Sequence, residues 1–216
     1  MQTRRPTALR RSWLFLPGAE KALLELGPRS GADVLIQELE DFTPPERRPE
    51  ARALAASLYP AWRAAGAVAA VRVNPLDGGG REDLRAVMAG RPDVVLMAMV
   101  TRPDQIRELD EAIAAEEARH GIEAASTEIV PNIETAAGLV NAAAIIGASP
   151  RVTGALLASE DMAADLGAER TPEGRELAYV RQRFLVECVA AGVTAIDCPC
   201  TFTDATTAGD DAKWAR

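Results

Sequence analysis

Acidic side chains follow several short apolar stretches of the sequence, and Glu134 ends the segment IVPNIET. The apolar residues before Glu134 are typical of a buried strand, and TAAGLVNAAAII behind them is typical of a helix. A buried ionised carboxylate is costly unless an opposite charge or a bound cation lies beside it. Glu134 therefore needs a partner. If that partner is a cation, Asp161 at the end of another apolar stretch is a candidate for the second carboxylate.

Two carboxylates at strand ends suit a hard divalent cation. Mg²⁺ takes oxygen ligands and is usually held by one or two carboxylates together with substrate oxygens and water. Zinc is disfavoured because it prefers His and Cys ligands, and the one histidine, His120, sits in the charged segment EEARHG. The structural alternative is that Glu134 caps the following helix or pairs with an arginine, and that Asp161 caps the segment MAADLG. Spacing alone does not decide between these readings.

Arg72 closes the apolar stretch AVAAVRV and is a candidate for binding an anion. A guanidinium can clamp a carboxylate or an enolate oxygen with two parallel hydrogen bonds. The structural alternative is a buried salt bridge to Glu40 or Asp41, and the two roles are compatible. A Schiff-base route is disfavoured, because neither Lys21 nor Lys213 is placed to project into a site at the strand ends.

The spacing of apolar residues along the sequence predicts the strands and helices that position these side chains. Short runs rich in Val, Ile and Leu alternate with longer segments of helical period, which predicts βα units and a parallel sheet. The predicted strands cover residues 13–17, 34–39, 68–74, 94–99, 128–133, 152–158 and 194–198. The predicted helices include residues 49–66, 104–121 and 171–192.

Seven such units are compatible with a doubly wound open sheet or with a TIM barrel. The first strand is followed by FLPGAEK, whose single glycine is a weak phosphate-binding loop. Polar residues recur where strands end, and the carboxyl ends of all strands in a TIM barrel face one mouth. We therefore predict an α/β fold, with residues 1–216 forming a single TIM (β/α)8-type domain. The residues expected at its mouth are Glu40, Asp41, Arg72, Asn74, Glu134, Glu160 and Asp161.

The eighth βα unit of such a barrel is not found in the sequence, which ends in AGDDAKWAR. Either the chain is a C-terminally truncated form, or another element closes the barrel. An open strand edge favours association. We therefore expect a homo-oligomer, a homotrimer or a homohexamer.

Composition limits the partners. A formal net charge of -8 and a pI near 4.9 argue against binding to nucleic acid or to an anionic membrane surface. No apolar run has the length of a membrane span, and the basic start MQTRRPTALRRSW lacks the apolar region of a secretory signal. An odd number of cysteines, three, fits free thiols in a reducing compartment. A cytoplasmic protein with a small-molecule substrate is predicted.

Six separated motifs resemble, in type and order, those of the citrate lyase beta-subunit-like branch of the HpcH/HpaI aldolase superfamily. They are RSWLFLPG, LIQELEDFTPPERRPEAR, VRVNPLD, IETAAGL, ASEDMAADLGAERTPEG and VTAIDCPCTFTD. Proteins of this family are TIM barrels that bind Mg²⁺ and make or break a carbon–carbon bond next to a thioester or keto acid. The resemblance implies that Glu134 and Asp161 are metal ligands, Glu134 also lying against the substrate, and that Arg72 binds the substrate.

The same resemblance assigns further roles. Glu40 and Asp41 match an acidic pair beside the metal and its water, and Arg11 in RRSW matches a basic residue that helps to hold the ligand. Two positions differ from the family pattern. Glu38 stands where an aspartate is usual, and Met97-Ala98-Met99-Val100 replaces a common Pro-Lys at the end of the fourth strand.

The leading functional prediction is a lyase dependent on Mg²⁺ or Mn²⁺, acting on a hydroxy- or keto-carboxylic acid or its coenzyme A thioester. In this reading Arg72, Glu40 and Asp41 are the catalytic residues. One alternative is an acyl-CoA thioester hydrolase in which a carboxylate such as Asp41 activates water. Another is a non-catalytic ligand-binding or assembly subunit. If coenzyme A is part of the substrate, its phosphates require a basic rim, for which the sequence offers Arg10, Arg11, Arg29 and Arg47.

Overall fold

The computed structural model describes residues 4–171, 173–201 and 204–215. In this part of the chain, seven parallel strands pair side by side in sequence order and curl into a partial barrel. All seven predicted strands are confirmed, several of them shorter by one to three residues. They are β1 (Trp13–Pro17), β2 (Val34–Glu38), β3 (Val68–Val73), β4 (Val94–Met97), β5 (Glu128–Ile133), β6 (Gly154–Leu157) and β7 (Thr194–Ile196).

Helices follow the strands along the chain, and all except the last contribute buried residues to the core on the outer surface of the sheet. They are α1 (Lys21–Leu26), α2 (Arg48–Ala64), α3 (Gly80–Val87), α4 (Pro103–His120), α5 (Ala136–Val140), α6 (Ala142–Ile146), α7 (Ser159–Asp165), α8 (Ala178–Ala191) and α9 (Ala205–Trp214). None of the helices in the described ranges has the length and apolar character needed to cross a bilayer.

Two predicted helical segments are interrupted. Residues 171–192 do not form one helix, because Gly174 takes a left-handed conformation (φ +61°) and α8 begins only at residue 178. Residues 135–146 are divided into α5 and α6 at Asn141. The side chain of Asn141 donates a hydrogen bond to the Thr101 carbonyl (2.9 Å), so a tertiary contact accompanies this break.

Successive strand residues point alternately outward, toward the helices, and inward, into the barrel. Val71 and Val73 of β3 pack outward, whereas Val68 and Ala70 pack inward. Because side chains alternate along a strand, the next inward position of β3 is Arg72. In β2, which carries Val34 and Ile36 inside, the next inward position is Glu38. The apolar lumen therefore ends in charged residues at the carboxyl ends of the strands.

Strand β5 lies between β4 and β6 and contains Pro131, which has no N–H to donate to either neighbour. Up to Pro131 the strand pairs in register with β4, and Asn132 and Ile133 pair with Leu156 and Leu157 of β6. Ile129 also forms an isolated bridge to Val152. Between this bridge and the pairing of Asn132 with Leu156, two residues of β5 face three of β6, which is a β-bulge.

Ion pairs close the amino end of the barrel. Arg10 has a buried side chain and binds both carboxylate oxygens of Glu128 at the start of β5, at 2.6 and 2.8 Å. Thr153 donates a third hydrogen bond to Glu128 (2.7 Å). Burial raises the pKa of Glu128, but these hydrogen bonds outweigh it and lower the pKa to about 2. Carboxylates at this end are therefore well paired.

Candidate active site

A single buried guanidinium lies among four carboxylates at the opposite end of the barrel. Arg72 Nε donates to Glu38 Oε1 (2.9 Å), and Nη2 donates to Asp41 Oδ2 (3.2 Å). Nη2 also lies 3.1 Å from Glu40 Oε2, and Nη1 lies 3.7 Å from Glu134 Oε1. The side chain of Arg72 is only 6% exposed. One positive charge thus faces four groups that are negative when ionised.

Glu38 holds the loop that carries Glu40 and Asp41. Its side chain is fully buried and accepts hydrogen bonds from the backbone N–H groups of Glu40 (2.6 Å) and Phe42 (2.5 Å). Glu38 is also the register partner of Arg72 on the neighbouring strand. The family position usually occupied by aspartate therefore serves here to fix both the guanidinium and the acidic loop.

Glu134 follows β5 and is almost completely buried. Its Oε1 accepts from Asn132 Nδ2 (3.1 Å), and its Oε2 accepts from the backbone N–H of Met99 (3.1 Å). Met99 has a left-handed backbone (φ +56°), which is uncommon for a residue with a side chain and is typical of functional sites. Capping of α5 is performed by Thr135, whose side chain accepts from the Gly138 N–H (3.1 Å). The capping alternative for Glu134 was therefore wrong.

Asp161 lies in the first turn of α7, directly after β6, and Ala158 rather than Asp161 is the N-cap residue. Its neighbour Glu160 is turned toward other partners. Glu160 Oε1 accepts from Arg170 Nε (3.1 Å) and from Thr201 Oγ1 (2.9 Å). Asp161 is thus the acidic residue of this turn that interacts with the charges of Arg72, Asp41 and Glu134.

Burial without enough positive charge perturbs these carboxyl groups. It raises the pKa of Glu134 to about 7, against the opposing effects of Arg72 and of the hydrogen bond from Asn132. It raises the pKa of Glu40 to about 8, with the charge of Arg72 opposing the rise and the charge and hydrogen bond of Asp41 adding to it. The pKa of Asp161 is raised by burial and then by the charge of Asp41. Carboxyls with raised pKa values in one cleft are typical of a functional site.

A family pattern covers most of the chain. The HpcH/HpaI aldolase/citrate lyase model matches residues 11–213. The chain belongs to this family.

Two curated relatives and one solved structure illustrate the range of the HpcH/HpaI family. Citrate lyase subunit beta of Haemophilus influenzae is 37% identical over 192 residues, which are 88% of this chain and 65% of the relative. A (3S)-malyl-CoA thioesterase of Cereibacter sphaeroides is 31% identical over 194 residues, 87% of this chain and 62% of the relative. The chain therefore spans slightly less than two thirds of the length of these relatives.

The solved structure is CitE of Mycobacterium tuberculosis in complex with magnesium, acetoacetate and coenzyme A. It superposes with a TM-score of 0.74 at 25% identity, covering 96% of this chain and 73% of that one. The barrel-type fold of this chain is therefore the fold of the family.

The donor set of this family member suits Mg²⁺ or Mn²⁺. Carboxylate oxygens are the preferred protein ligands of Mg²⁺, which commonly uses only one or two of them and keeps several waters. Glu134 and Asp161 follow neighbouring strands, and their charges interact. In residues 4–171, 173–201 and 204–215, no group of three or more His, Cys, Asp or Glu side chains forms a metal-binding cluster. An ion here would be held by at most two carboxylates and would take its other ligands from water or a small molecule, as Mg²⁺ commonly does.

Arg11 is not brought into this site. Its side chain is 83% exposed and lies 3.7 Å from Asp33, the residue that precedes β2 at the amino end of the barrel. The ligand-holding role predicted for Arg11 does not fit this position. Among the arginines considered for a coenzyme A rim, Arg10 also lies at the amino end. Arg47 contacts the Ala19 carbonyl in the segment after β1 (2.9 Å), on the side of the carboxylates.

Two further residues belong to the site and are not predicted from the sequence. Asn132 lies within the predicted strand 128–133, yet it is polar, inward-facing and bonded to Glu134. Met99 lies in the segment that replaces the Pro-Lys of the family, and its backbone N–H contacts the same carboxylate. The signal for Asn132 was present: it follows Val130 by two residues and precedes Glu134 by two, so all three share one face of β5 and its extension.

Proposed function

We propose that this protein is a lyase dependent on Mg²⁺ or Mn²⁺ that makes or breaks a carbon–carbon bond in a hydroxy- or keto-carboxylic acid or its coenzyme A thioester. The observation that carries the proposal is the excess of negative charge at the mouth of the barrel. Four carboxylates surround Arg72, and the burial of Glu134 and Glu40 raises both pKa values. Family membership and the magnesium complex of the related CitE protein support the same conclusion.

In this proposal Glu134 and Asp161 hold the ion. When bound, a divalent ion stabilises negative charge on a substrate carbonyl or carboxylate oxygen. Hydrogen bonds from Asn132 and Met99 orient the Glu134 carboxylate before any ion arrives. The protein therefore binds the ion without first having to order this ligand.

Arg72 binds and orients the substrate. Three of its carboxylate neighbours lie on the Nε and Nη2 side, whereas Nη1 is 3.7 Å from Glu134, which is longer than a hydrogen bond. A substrate oxygen can approach Nη1 close to Glu134. There the guanidinium shares the negative charge that develops when the carbon–carbon bond breaks.

Glu40 and Asp41 hold and move the proton. A hydrogen bond with Asp41 contributes to the raised pKa of Glu40, so the pair retains a proton near neutral pH. Cleavage requires removal of the substrate hydroxyl proton and protonation of the enolate carbon. We assign removal of the hydroxyl proton to Asp41, which is half exposed, and donation of the proton to the enolate carbon to Glu40, which is largely buried and protonated near neutral pH.

Thioester hydrolysis is the second candidate, and the 31% identity to a (3S)-malyl-CoA thioesterase favours it specifically. The same carboxylates would then act on water. Asp41 would remove a proton from the water molecule as the water oxygen attacks the acyl carbon.

The cytoplasmic location and the homotrimeric or homohexameric state remain predictions from the sequence.

Product analysis tests the proposal. The purified protein is incubated with Mg²⁺ and a panel of hydroxy acids, keto acids and their coenzyme A thioesters, and products are identified by mass spectrometry and thiol titration. A shortened acid together with a second carbonyl or acyl fragment supports the lyase. Free thiol with an intact acid supports the thioesterase instead. Ligand-dependent stabilisation without turnover of any compound would favour a non-catalytic subunit and contradict both.

A further inference from the structure

Asn132 is a buried polar residue in the lumen of the barrel. It has no exposed surface, and its inward direction follows from Val130, which lies two residues earlier in the inner apolar cluster. Its register partner Leu156 belongs to the same inner cluster. Burying an amide in an apolar layer costs free energy unless its hydrogen bonds are made, so a polar side chain here requires an explanation.

Only half of this amide is explained by the protein. Nδ2 donates to Glu134 Oε1 at 3.1 Å. Oδ1 is buried and has no hydrogen-bond partner among the described residues. The residues beside Asn132 on the adjoining strands, Ala98 after β4 and Leu156 in β6, have no polar side-chain atom to offer it. Among the described residues, Oδ1 thus has no donor.

The two halves of the amide point to one role. An outer residue that donates to a metal-ligating carboxylate fixes its orientation, and loss of such a residue commonly weakens metal binding by about 10–100-fold. A divalent ion held by two carboxylates retains water ligands, and each water is an O–H donor. An acceptor next to Glu134 would bind such a water.

We infer that Asn132 is a positioning residue for the metal site, in which Nδ2 fixes Glu134 and Oδ1 accepts a hydrogen bond from a water bound to the ion. This inference rests on the proposed function, because it requires Glu134 to be a metal ligand. It also gives a role to Asn132 Oδ1, whose burial without a hydrogen bond otherwise destabilises the fold.

Asn132→Leu tests the inference, since leucine has a similar volume and no polar atoms. The substitution removes the unsatisfied Oδ1, but it also leaves the buried Glu134 Oε1 without its donor, and an unsatisfied buried acceptor costs about 1–3 kcal/mol. We expect the metal-free variant to stay folded and to unfold in urea at a somewhat lower concentration than the wild type. Its affinity for Mn²⁺, measured by calorimetry and by electron paramagnetic resonance of free Mn²⁺, is expected to fall about 10-fold or more.

Two further variants make the result specific. Asn141→Leu removes an asparagine outside the site and is expected to bind Mn²⁺ as the wild type does. Asn132→Ala removes the same amide without adding bulk, replaces the leucine variant if that one does not fold, and is expected to lose about 10-fold or more in Mn²⁺ affinity. Wild-type Mn²⁺ affinity in a folded Asn132 variant would overturn the inference and leave the proposed function intact. A wild-type protein that does not bind Mn²⁺ would overturn both.

Discussion

Arg72 Nε lies 2.9 Å from Glu38 Oε1, and both side chains are buried at the top of the barrel lumen. The two residues are register partners on neighbouring strands, so the sheet itself holds the guanidinium in place. Phe15 and Phe42 add aromatic rings whose centroids are 5.3 and 5.9 Å from Arg72 Cζ. A planar guanidinium with several fixed partners has a shape that an ammonium group cannot reproduce.

Arg72→Lys is therefore expected to impair turnover even though the charge is kept. Loss of a donor that stabilises charge in the transition state commonly costs on the order of 10²–10³ in rate. The measurement is kcat/KM for the substrate found in the product screen, with circular dichroism to verify folding. Arg81→Lys changes an exposed arginine and serves as the control. An Arg72→Lys protein with wild-type kcat/KM would show that the forked geometry is not used.

The Glu134→Gln/Asp161→Asn double variant is expected to lose Mg²⁺ and Mn²⁺ binding. In the wild type, an ion at 100 times its Kd should stabilise the fold by about 2.7 kcal/mol. For a chain of this size that corresponds to a rise in Tm of roughly 5–10 °C. The double variant should show no such rise in thermal unfolding with and without the ion. Ion-dependent stabilisation retained in the double variant would exclude Glu134 and Asp161 as the ligands.

The metal-free protein is expected to lose stability as pH rises from about 5 to 8. The folded pKa values of Glu134 and Glu40, about 7 and about 8, lie above the ordinary 4.5, so the folded state binds more protons than the unfolded state in this range. Their contribution is complete below pH 4.5 and disappears as pH passes through the folded pKa values. Urea unfolding in chelator at several pH values measures it.

Glu134→Gln supplies the control for this pH dependence, because it removes one of the two titrating groups. The fall in stability between pH 5 and 8 should become shallower in this variant. Below pH 4.5 a different loss is expected in both proteins. Glu117 and Glu128 have folded pKa values lowered to about 2, and their stabilising effect is lost as they become protonated. An equal slope above pH 5 in both proteins would contradict the raised pKa of Glu134.

Arg151→Met is expected to destabilise the fold without changing the metal site. Arg151 has a buried side chain, and its two Nη groups donate to Glu117 at 2.8 and 2.7 Å. Removing one member of a buried ion pair leaves the other charge unpaired, at a cost of about 3–5 kcal/mol. Urea unfolding should show this loss, while the Mn²⁺ affinity of the folded variant should match the wild type. A large fall in Mn²⁺ affinity would connect this distant pair to the site.

The strands and most of the acidic mouth could be predicted from the sequence because hydrophobic period and strand order are local signals. Glu134, Asp161 and Arg72 were expected together because each follows or closes an apolar stretch. The same rule separates Arg11 from the mouth. A residue that precedes a strand lies at the amino end of the barrel, and Arg11 precedes β1. A motif match alone carries no information on which end of the strand a residue occupies.

Other features depend on tertiary contacts that no local pattern contains. The left-handed backbone of Met99 presents an N–H to a carboxylate 35 residues away. The division of the segment at 135–146 accompanies a contact between Asn141 and Thr101. The side chain of Glu38, one methylene longer than the usual aspartate, accepts hydrogen bonds from two backbone N–H groups of the following loop, and this contact depends on the loop conformation.

The bulge between β5 and β6 sets the alignment of the two proposed metal ligands. A regular ladder continuing from Ile129 and Val152 would pair Asn132 with Ala155, which packs outward. The extra residue of β6 pairs Asn132 with Leu156 instead, which faces the lumen. Removal of one residue from β6 at the bulge would therefore shift the segment that carries Asp161 by about 3.3 Å relative to Glu134.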